Sequence, residues 1–388
     1  MKYKLKDIFD LQMGKTPSRN NSEYWNSEDY KWISIADLSK TGKYISDTKE
    51  YLSESAVEES GIKVIPANTV VMSFKLSIGK TAITAEDMYS NEAIMAFHDK
   101  HVVDVLPEYI FYMFKYRNWD EGSNKAVMGK TLNKATLSEV EIEICPIEEQ
   151  REIVNILDKM MSILNGRENE LSLLDDLIKA RFVELFGNPV LNDKGWEQKS
   201  LGEISSKIGS GATPRGGKEA YQEDGITLIR SMNVYNGQFE YKDLAHISDE
   251  QAEKLDNVTI EENDVLLNIT GASVARSCVV PSEILPARVN QHVCIIRCKD
   301  CIIPEFLNKL LIDDNYQYLL WSIAGSGATR EAITKQQVEN LQIILPPLEL
   351  QNRFADFVHQ VDKSKVAVQK ALDETQLLFD SLMQEYFG

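Results

Sequence analysis

The sequence repeats part of itself at an interval of 201 residues (347 − 146 and 388 − 187). Pro146 and Pro347 mark the start of the repeated segment, Gly187 and Gly388 mark its end, and no gap is needed between them. Identities are few, but apolar residues stand at matching positions along the alignment. Because a long fixed interval marks one structural unit used more than once, the chain is predicted to contain the same unit twice.

A longer region of mixed character lies ahead of each repeated segment. Residues 69–74 and 264–269 read as short strands, and Gly, Pro and Asn divide each region into many short elements. The dipeptide Thr-Pro at residues 16–17 recurs at residues 213–214, yet the two regions otherwise differ. We therefore expect an α+β fold with two mixed α/β domains in tandem.

The repeated segments are predicted to be long helices. Their apolar residues recur at steps of four and three, the spacing of a coiled-coil seam. The prolines suit a first helical turn and the glycines a C-terminal cap, and the stretch from Ile153 to Leu185 would span about 50 Å. The residues expected to pair the helices are Ile153, Leu157, Met160, Leu164, Leu171, Leu174, Ile178, Leu185, Phe354, Val358, Val361, Val368, Leu372, Phe379, Leu382 and Tyr386.

Two arrangements of these helices are open. Each helix can pack on its own domain, or the two can pair with each other. The heptad spacing favours an antiparallel pair with pseudo-two-fold symmetry that separates the two domains. Further apolar positions would then leave a second face for another helical partner: Leu173, Leu177, Phe182, Leu377, Leu378 and Met383.

Composition narrows the class of protein. The net charge of −18 argues against a free-standing, non-specific nucleic-acid binder, although a few basic loops can touch DNA while a partner supplies cationic surface. The first residues have no apolar stretch of the signal-peptide kind, no run suits a membrane span, and the five cysteines read as reduced thiols. We expect a cytoplasmic protein.

Motifs that would indicate catalysis are incomplete. Gly-Lys-Thr occurs three times, but each copy lacks the earlier glycine of a phosphate-binding loop. Cys294, Cys298 and Cys301 have a spacing found in iron–sulfur proteins, but a strand over residues 293–297 would hold the first two about 13 Å apart. We predict no catalytic residue and no metal site, and a chain that binds rather than catalyses.

The order of short motifs resembles the specificity subunit of a Type I restriction–modification enzyme. Both helices open on similar sequences, Pro-Ile-Glu-Glu-Gln-Arg at residues 146–151 and Pro-Pro-Leu-Glu-Leu-Gln at residues 346–351. Gly195-Trp196, followed by Leu-Gly-Glu-Ile at residues 201–204, is similar to the family's opening of a target-recognition domain. Gly-Ala-Thr-Pro at residues 211–214 adds to the resemblance, which covers nearly the whole chain.

The resemblance implies a division into four parts. Target-recognition domains would occupy residues 1–145 and 188–345, and conserved helices would occupy residues 146–187 and 346–388. Each domain would read one half of a bipartite target in double-stranded DNA, while the helices set the spacing and dock two methyltransferase (M) subunits. Motor–nuclease (R) subunits would join for restriction. Adenine-N6 methylation and ATP-dependent cleavage, with S-adenosylmethionine, ATP and Mg, would then belong to the partners, and this chain would bind no cofactor.

Candidate DNA contacts are cations and amides in loops, because these groups bind phosphates and base edges. In the first copy they are Lys15, Thr16, Arg19, Lys75, Lys80, Lys125, Lys130 and Lys134. In the second copy they are Thr213, Arg215, Lys218, Arg230, Arg276, Arg288, Asn290, Gln291, Arg330, Lys335 and Gln336.

Two other classes of function stay open. A self-contained DNA methyltransferase would need a cofactor-binding loop and an aromatic catalytic motif, and residues 188–191 match such a motif only in Asn-Pro. A coiled-coil scaffold that never touches DNA would need neither. A salt-dependent gel shift with and without a methyltransferase partner separates the scaffold from the specificity subunit.

Overall fold

The structure is a computed structural model that describes residues 1–75, 77–119, 132–213, 217–325 and 331–388. Two compact units divide the chain. Unit 1 contains residues 1–168 and 370–388, and unit 2 contains residues 169–369.

The described residues of unit 1 that precede the first long helix form ten short strands and five α-helices. Its strands are β1 (Lys2–Lys4), β2 (Phe9–Met13), β3 (Tyr30–Ile33), β4 (Tyr44–Ile45), β5 (Glu50–Leu52), β6 (Val70–Ser73), β7 (Thr81–Thr84), β8 (Tyr89–Ser90), β9 (Ile94–Asp99) and β10 (Glu141–Glu143). Its helices are α1 (Leu5–Ile8), α2 (Ile35–Lys40), α3 (Glu54–Ser60), α4 (Pro107–Tyr116) and α5 (Lys134–Ser138). The long helix α6 (Ile147–Phe186) starts in unit 1 and ends in unit 2.

In the part of unit 2 that the structure describes, eleven strands and five further α-helices lie between the two long helices. Its strands are β11 (Gln198–Ser200), β12 (Ser205–Ser210), β13 (Ile226–Ile229), β14 (Val234–Tyr235), β15 (Gln238–Phe239), β16 (Ala245–Ile247), β17 (Val265–Asn268), β18 (Ser277–Val279), β19 (Ala287–Val289), β20 (Val293–Cys298) and β21 (Gln342–Ile344). Its helices are α7 (Leu201–Ile204), α8 (Asp249–Glu253), α9 (Pro304–Leu311), α10 (Asp314–Gly325) and α11 (Lys335–Glu339). The second long helix, α12 (Leu348–Phe387), starts in unit 2 and ends in unit 1.

The sheets formed by the described residues follow the same strand order in both units, except that β4 extends one edge of the largest sheet in unit 1. Unit 1 has the orders β1-β10, β5-β3-β8 and β2-β9-β6-β7-β4. Unit 2 has the orders β11-β21, β16-β13-β19 and β12-β20-β17-β18, with a separate β14-β15 hairpin. In each three-stranded sheet the central strand pairs antiparallel with one neighbour and parallel with the other. The predicted α+β fold with an internal repeat is confirmed.

The long helices pack antiparallel within each unit. In unit 2, Phe182 near the end of α6 lies 5.6 Å from Phe354 near the start of α12, measured between ring centroids. Nearer the middle of both helices, Asp175 and Lys365 form an ion pair at 2.5 Å. In unit 1, the first part of α6 and the last part of α12 share one apolar cluster with the sheet and α4. Each helix therefore packs both on a domain and on the other helix.

The predicted seam residues are all buried or half-buried. The buried ones are Ile153, Leu157, Leu164, Ile178, Phe354, Val358, Val361, Val368 and Phe379. The half-buried ones are Met160, Leu171, Leu174, Leu185, Leu372, Leu382 and Tyr386. The expectation of a second exposed face was wrong for Phe182 and Met383, because both side chains fill the core of their unit. Leu173, Leu177, Leu377 and Leu378 are exposed as expected.

A buried glutamine joins each long helix to its domain. Gln150 accepts a hydrogen bond from the amide of Leu106 at 2.9 Å and donates to the carbonyls of Asp104 and Cys145. Gln351 accepts from the amide of Ile303 at 2.9 Å. It donates to the carbonyls of Cys301 and Pro346. The glutamine common to both helix openings thus satisfies backbone groups at the start of α4 and α9, which have no partner inside a helix.

Among the helices formed by the described residues, none combines the length and apolar character needed to cross a membrane.

Candidate nucleic-acid interface

Both units hold a glycine loop against the end of a strand. The loops follow β2 and β12 and begin at Gly14 and Gly211, which leave no room for a side chain. A Cβ atom on Gly14 would lie 2.2 Å from the carbonyl oxygen of Asn91, and one on Gly211 would lie 1.7 Å from that of Val289. Close backbone approach of this kind requires glycine.

Each glycine loop packs against a turn that begins with an asparagine, here called the asparagine turn. The amides of Asn91 and Asn290 donate to the carbonyls of Ile33 and Ile229, the last residues of β3 and β13. The side-chain oxygen of each asparagine accepts the amide two residues later at 2.9 Å, which is the geometry of an Asx turn. These matching hydrogen bonds make the two turns structurally equivalent.

The threonine of each loop donates to the side chain that follows the asparagine. Thr16 donates its hydroxyl to the carboxylate of Glu92. Thr213 donates to the side-chain oxygen of Gln291. Glu92 and Gln291 are both exposed, so the same construction presents a carboxylate in unit 1 and an amide in unit 2.

The loop of unit 1 is held further by Arg19. Its guanidinium forms two hydrogen bonds to Glu50 and lies 3.7 Å from the ring centroid of Trp25. Trp32 donates its indole N–H to the carbonyl of Lys15 at 3.1 Å. Arg19 thus orders the loop, while Lys15 is exposed and its amine reaches the carbonyl of Ser60.

The other basic candidates of unit 1 are more scattered. Lys75 is half-buried, with its amine 5.3 Å from the ring centroid of Phe74. Lys80 donates to the hydroxyl of Ser39, and Lys134 is exposed at the start of α5. Lys125 and Lys130 lie outside the described residues.

Three candidate arginines of unit 2 make contacts within the unit. Arg230 donates to the carbonyl of Asp243, and Arg276 lies 4.5 Å from the ring centroid of Tyr235. Arg288 has a side chain only 11% exposed, and it donates to the carbonyls of Ala252 and Ala287 and pairs with Asp256. Arg288 thereby braces β19 from within the unit.

The remaining candidates of unit 2 differ in how exposed their side chains are. Asn290 is buried in its turn, and Gln336 is exposed on α11. Lys335 pairs with Glu339 one helical turn later at 3.5 Å. Arg215 and Arg330 lie outside the described residues, as does the side chain of Lys218.

Sequence reasoning missed two side chains at these loops. Glu92 is neither a cation nor an amide, and His292 has no partner close to it in sequence. The signal that could have found Glu92 is the pair Asn91-Glu92 before β9, which mirrors Asn290-Gln291 before β20.

Of the three clustered cysteines, Cys294 is buried in the core of unit 2, and Cys298 and Cys301 are half-buried against that core. β20 runs from Val293 to Cys298, which confirms the predicted strand. Burial raises the pKa of Cys294 and of Cys298 to about 12, so both are protonated thiols at neutral pH. Within the described ranges, the structure holds no group of three or more His, Cys, Asp or Glu arranged to bind a metal ion.

A cavity of about 650 Å³ lies in unit 2, away from the glycine loop. α6, α12, α9 and the β14–β15 hairpin surround it. Its lining includes Lys309, Lys365, Asp175 and Asp362, of which Lys365 forms ion pairs with both aspartates, and burial lowers the pKa of Lys309. Of the described residues that were predicted to contact DNA, none lines this cavity.

Comparison with known proteins gives consistent matches over nearly the whole chain. A family model described as "Type I restriction modification DNA specificity domain" matches residues 1–173 and 193–375. The chain is 26% identical over 402 residues to the Type I restriction enzyme MjaIX specificity subunit of Methanocaldococcus jannaschii, covering 98% of this chain and 90% of that protein. It is 30% identical over 159 residues to the EcoR124I/EcoR124II specificity subunit of Escherichia coli, covering 39% of each.

Two solved structures share the fold. A Type I restriction–modification S subunit from M. genitalium has a TM-score of 0.55 at 14% identity, covering 100% of this chain and 96% of that one. A structure described as the basis of complex assembly and conformational transition of the Type I R–M system has a TM-score of 0.63 at 19% identity, covering 100% and 97%. At these identities the likeness establishes the fold alone.

Proposed function

This chain belongs to the Type I restriction modification DNA specificity family, and from that premise we propose that it is the DNA-recognition subunit of a Type I restriction–modification complex. Unit 1 reads one half of a split target in double-stranded DNA, and unit 2 reads the other half. The chain itself is non-catalytic.

The observation that supports this proposal is that the same loop structure occurs in both units. In both units a glycine loop is fixed on an asparagine turn, and the residue after the asparagine is an exposed polar side chain that accepts a hydrogen bond from the loop threonine. Polar side chains held in fixed positions are what base recognition in a groove requires. Because the surrounding sequences differ, the two loops present different chemistry, as two readers of different half-sites need.

The paired helices are proposed to set the spacing of the half-sites and to dock two methyltransferase subunits. Each helix contributes one part to each unit, so a change in helix length acts on both readers. Exposed leucines on both helices support docking, including Leu173, which is 57% exposed, and Leu377, which is 70% exposed. A single exposed leucine is ordinary, but Leu173 and Leu177 lie one turn apart on α6 and together offer an apolar strip to a protein partner.

Catalysis is assigned to the partners in this proposal. The methyltransferase subunits bind S-adenosylmethionine and methylate adenine at N6, and motor–nuclease subunits use ATP and Mg for cleavage. This assignment is what membership of the family implies, and the solved structure described by its complex assembly supports only the presence of partners. The net charge of −18 also predicts that the chain alone binds DNA weakly and gains tight binding from a partner.

The decisive experiment is to express the chain with its methyltransferase subunits in a host without adenine methylation and to sequence the methylated adenines. We expect one bipartite motif whose halves lie about one helical turn apart, on the same side of the duplex. Methylation independent of the chain, or a continuous motif, would contradict the proposal. Equilibrium dialysis of the isolated chain with S-adenosylmethionine tests the alternative of a self-contained methyltransferase.

Insertion of four residues into both helices tests the spacing role separately. The insertions are made near residues 168 and 369, where each helix passes from one unit to the other. The spacer length is expected to change while both half-sites stay the same. Altered half-sites with an unchanged spacer would contradict the role of the helices.

A further inference from the structure

Glu92 and Gln291 occupy the same place in the two units. Each follows the asparagine of the turn, and each accepts a hydrogen bond from the threonine of the glycine loop. Both side chains are exposed. The two units therefore differ in chemistry at one equivalent and accessible position.

Glu92 offers acceptors alone. The hydroxyl of Thr16 holds the pKa of Glu92 below its usual range, and the charges of Lys75 and Arg19 act in the same direction. An ionised carboxylate has about four acceptor sites and no donor, and the threonine hydroxyl occupies one of them. Such a group suits a base that presents an amino group, and in the major groove the matching partner of Glu is N4 of cytosine.

The side-chain amide of Gln291 offers one hydrogen-bond donor and one acceptor, and its contacts fix which end is which. Its oxygen accepts from Thr213, and its nitrogen lies 3.0 Å from Nε2 of His292. The amide keeps one hydrogen and one lone pair for a further partner. This pattern suits N7 and N6 of adenine, which glutamine recognises with two hydrogen bonds.

His292 explains why the amide keeps its orientation. Nδ1 of His292 is hydrogen-bonded to the hydroxyl of Thr270, which fixes the ring and leaves Nε2 facing Gln291. An amide has two different ends and needs such a partner, whereas the two oxygens of a carboxylate are equivalent. Unit 1 has Ala93 at the position of His292, as expected beside Glu92.

We propose that Glu92 and Gln291 are equivalent specificity-determining residues, which read a cytosine in one half-site and an adenine in the other. His292 is a positioning residue for Gln291. This inference rests on the proposed function, because it assumes that both loops face DNA.

The test exchanges the two chemistries in the assembled complex with the methyltransferase subunits. The variants are Glu92→Gln and Gln291→Glu, and adenine methylation across the host genome is the readout. Glu58→Gln and Gln222→Glu make the same charge changes at other exposed positions of the same units. Each exchange is expected to alter one base pair in its own half-site, with selectivity changing roughly 5- to 150-fold, and the controls are expected to alter none.

The role of His292 is tested by a double-mutant cycle. His292→Ala is expected to relax selectivity at the base pair read by Gln291 while the complex still assembles and methylates the original site. In the Gln291→Glu background, His292→Ala is expected to have no further effect, because a carboxylate needs no orientation. An equal loss of selectivity in both backgrounds would show a merely structural role and overturn this part.

The remaining outcomes separate this inference from the proposed function. If the unaltered chain directs a bipartite motif but both exchanges leave it unchanged, the inference fails and the proposed function stands. If the unaltered chain directs no bipartite motif, the proposed function fails. Where an exchange prevents assembly, Glu92→Ala or Gln291→Ala replaces it and is expected to relax the same base pair, and unchanged selectivity in these variants also overturns the inference.

Discussion

Unit 1 and unit 2 share a strand order and differ in the side chains that their loops present. The backbone features that recur need one particular residue, such as the glycine that leaves no room for a Cβ atom or the glutamine that satisfies three backbone groups. The features that differ are exposed side chains, such as Glu92 and Gln291. Buried geometry therefore constrains the scaffold, whereas the chemistry of the exposed side chains is free to differ between the units.

The largest predicted change in stability comes from exchanging one pair of equivalent seam residues of the two long helices. Leu164 is 5% exposed in unit 1, and the equivalent residue of unit 2 is Lys365, whose side chain is 18% exposed and paired with Asp175. Leu164→Lys should destabilise unit 1 by about 4 kcal/mol, because it removes apolar burial and buries an unpaired charge. Lys365→Leu should leave unit 2 unchanged or more stable by about 1 kcal/mol.

Hydrogen exchange of core amides measures the free energy of unfolding of unit 1 and of unit 2 separately. Equal destabilisation by the two substitutions would show that the helix pairs tolerate charge in the same way, against this prediction.

The buried glutamines should matter equally in both units. Gln150→Ala and Gln351→Ala each remove one acceptor and two donated hydrogen bonds, and leave buried backbone groups without partners. The free energy of unfolding of each unit is expected to fall by about 3 kcal/mol. Faster exchange of the Leu106 and Ile303 amides reports it locally. The control Gln376→Ala removes an exposed glutamine from α12 and should change neither rate.

Disrupting one glycine loop should affect only the half-site that its own unit reads. Gly14→Ala and Gly211→Ala place a Cβ atom against a backbone carbonyl, so each should cost about 2 kcal/mol and displace its own loop. Methylation of genomic sites should then lose selectivity in one half-site only. Gly42→Ala and Gly209→Ala meet no atom within 4 Å and serve as controls. A loss of both half-sites from either loop substitution would contradict independent readers.

The smallest effect is an acid-sensitive contact present in unit 1. Hydrogen bonds from Lys4 and Lys6 lower the pKa of Glu139 from 4.5 to about 2. A lowered carboxyl pKa stabilises the folded state above pH 4.5, and this contribution disappears as the pH falls toward 2. Unit 2 has Gly202 at the position of Lys6, and so it lacks this contact. Carboxyl NMR should show Glu139 titrating near pH 2, and near 4.5 in the Lys4→Met, Lys6→Met variant; a midpoint that these substitutions do not move would contradict the assignment.

The long helices were the most predictable part of the molecule. The predicted conserved helices, residues 146–187 and 346–388, coincide with α6 (Ile147–Phe186) and α12 (Leu348–Phe387) to within two residues at each end. Helical periodicity, a proline at the start and a glycine at the end are all local signals. The individual DNA contacts stay predictions, since nothing bound to the chain marks them.

The sequence by itself determined the duplication, the two long helices and the family, because each is carried by residues close together in the chain or by their order along it. The tertiary structure alone decided the strand order of the sheets and the meeting of each glycine loop with its asparagine turn, which is more than 70 residues away in sequence. It also placed Glu92 opposite Thr16, and His292 between Gln291 and Thr270. Contacts between distant segments leave no periodicity, so their chemistry becomes visible only when the chain is folded.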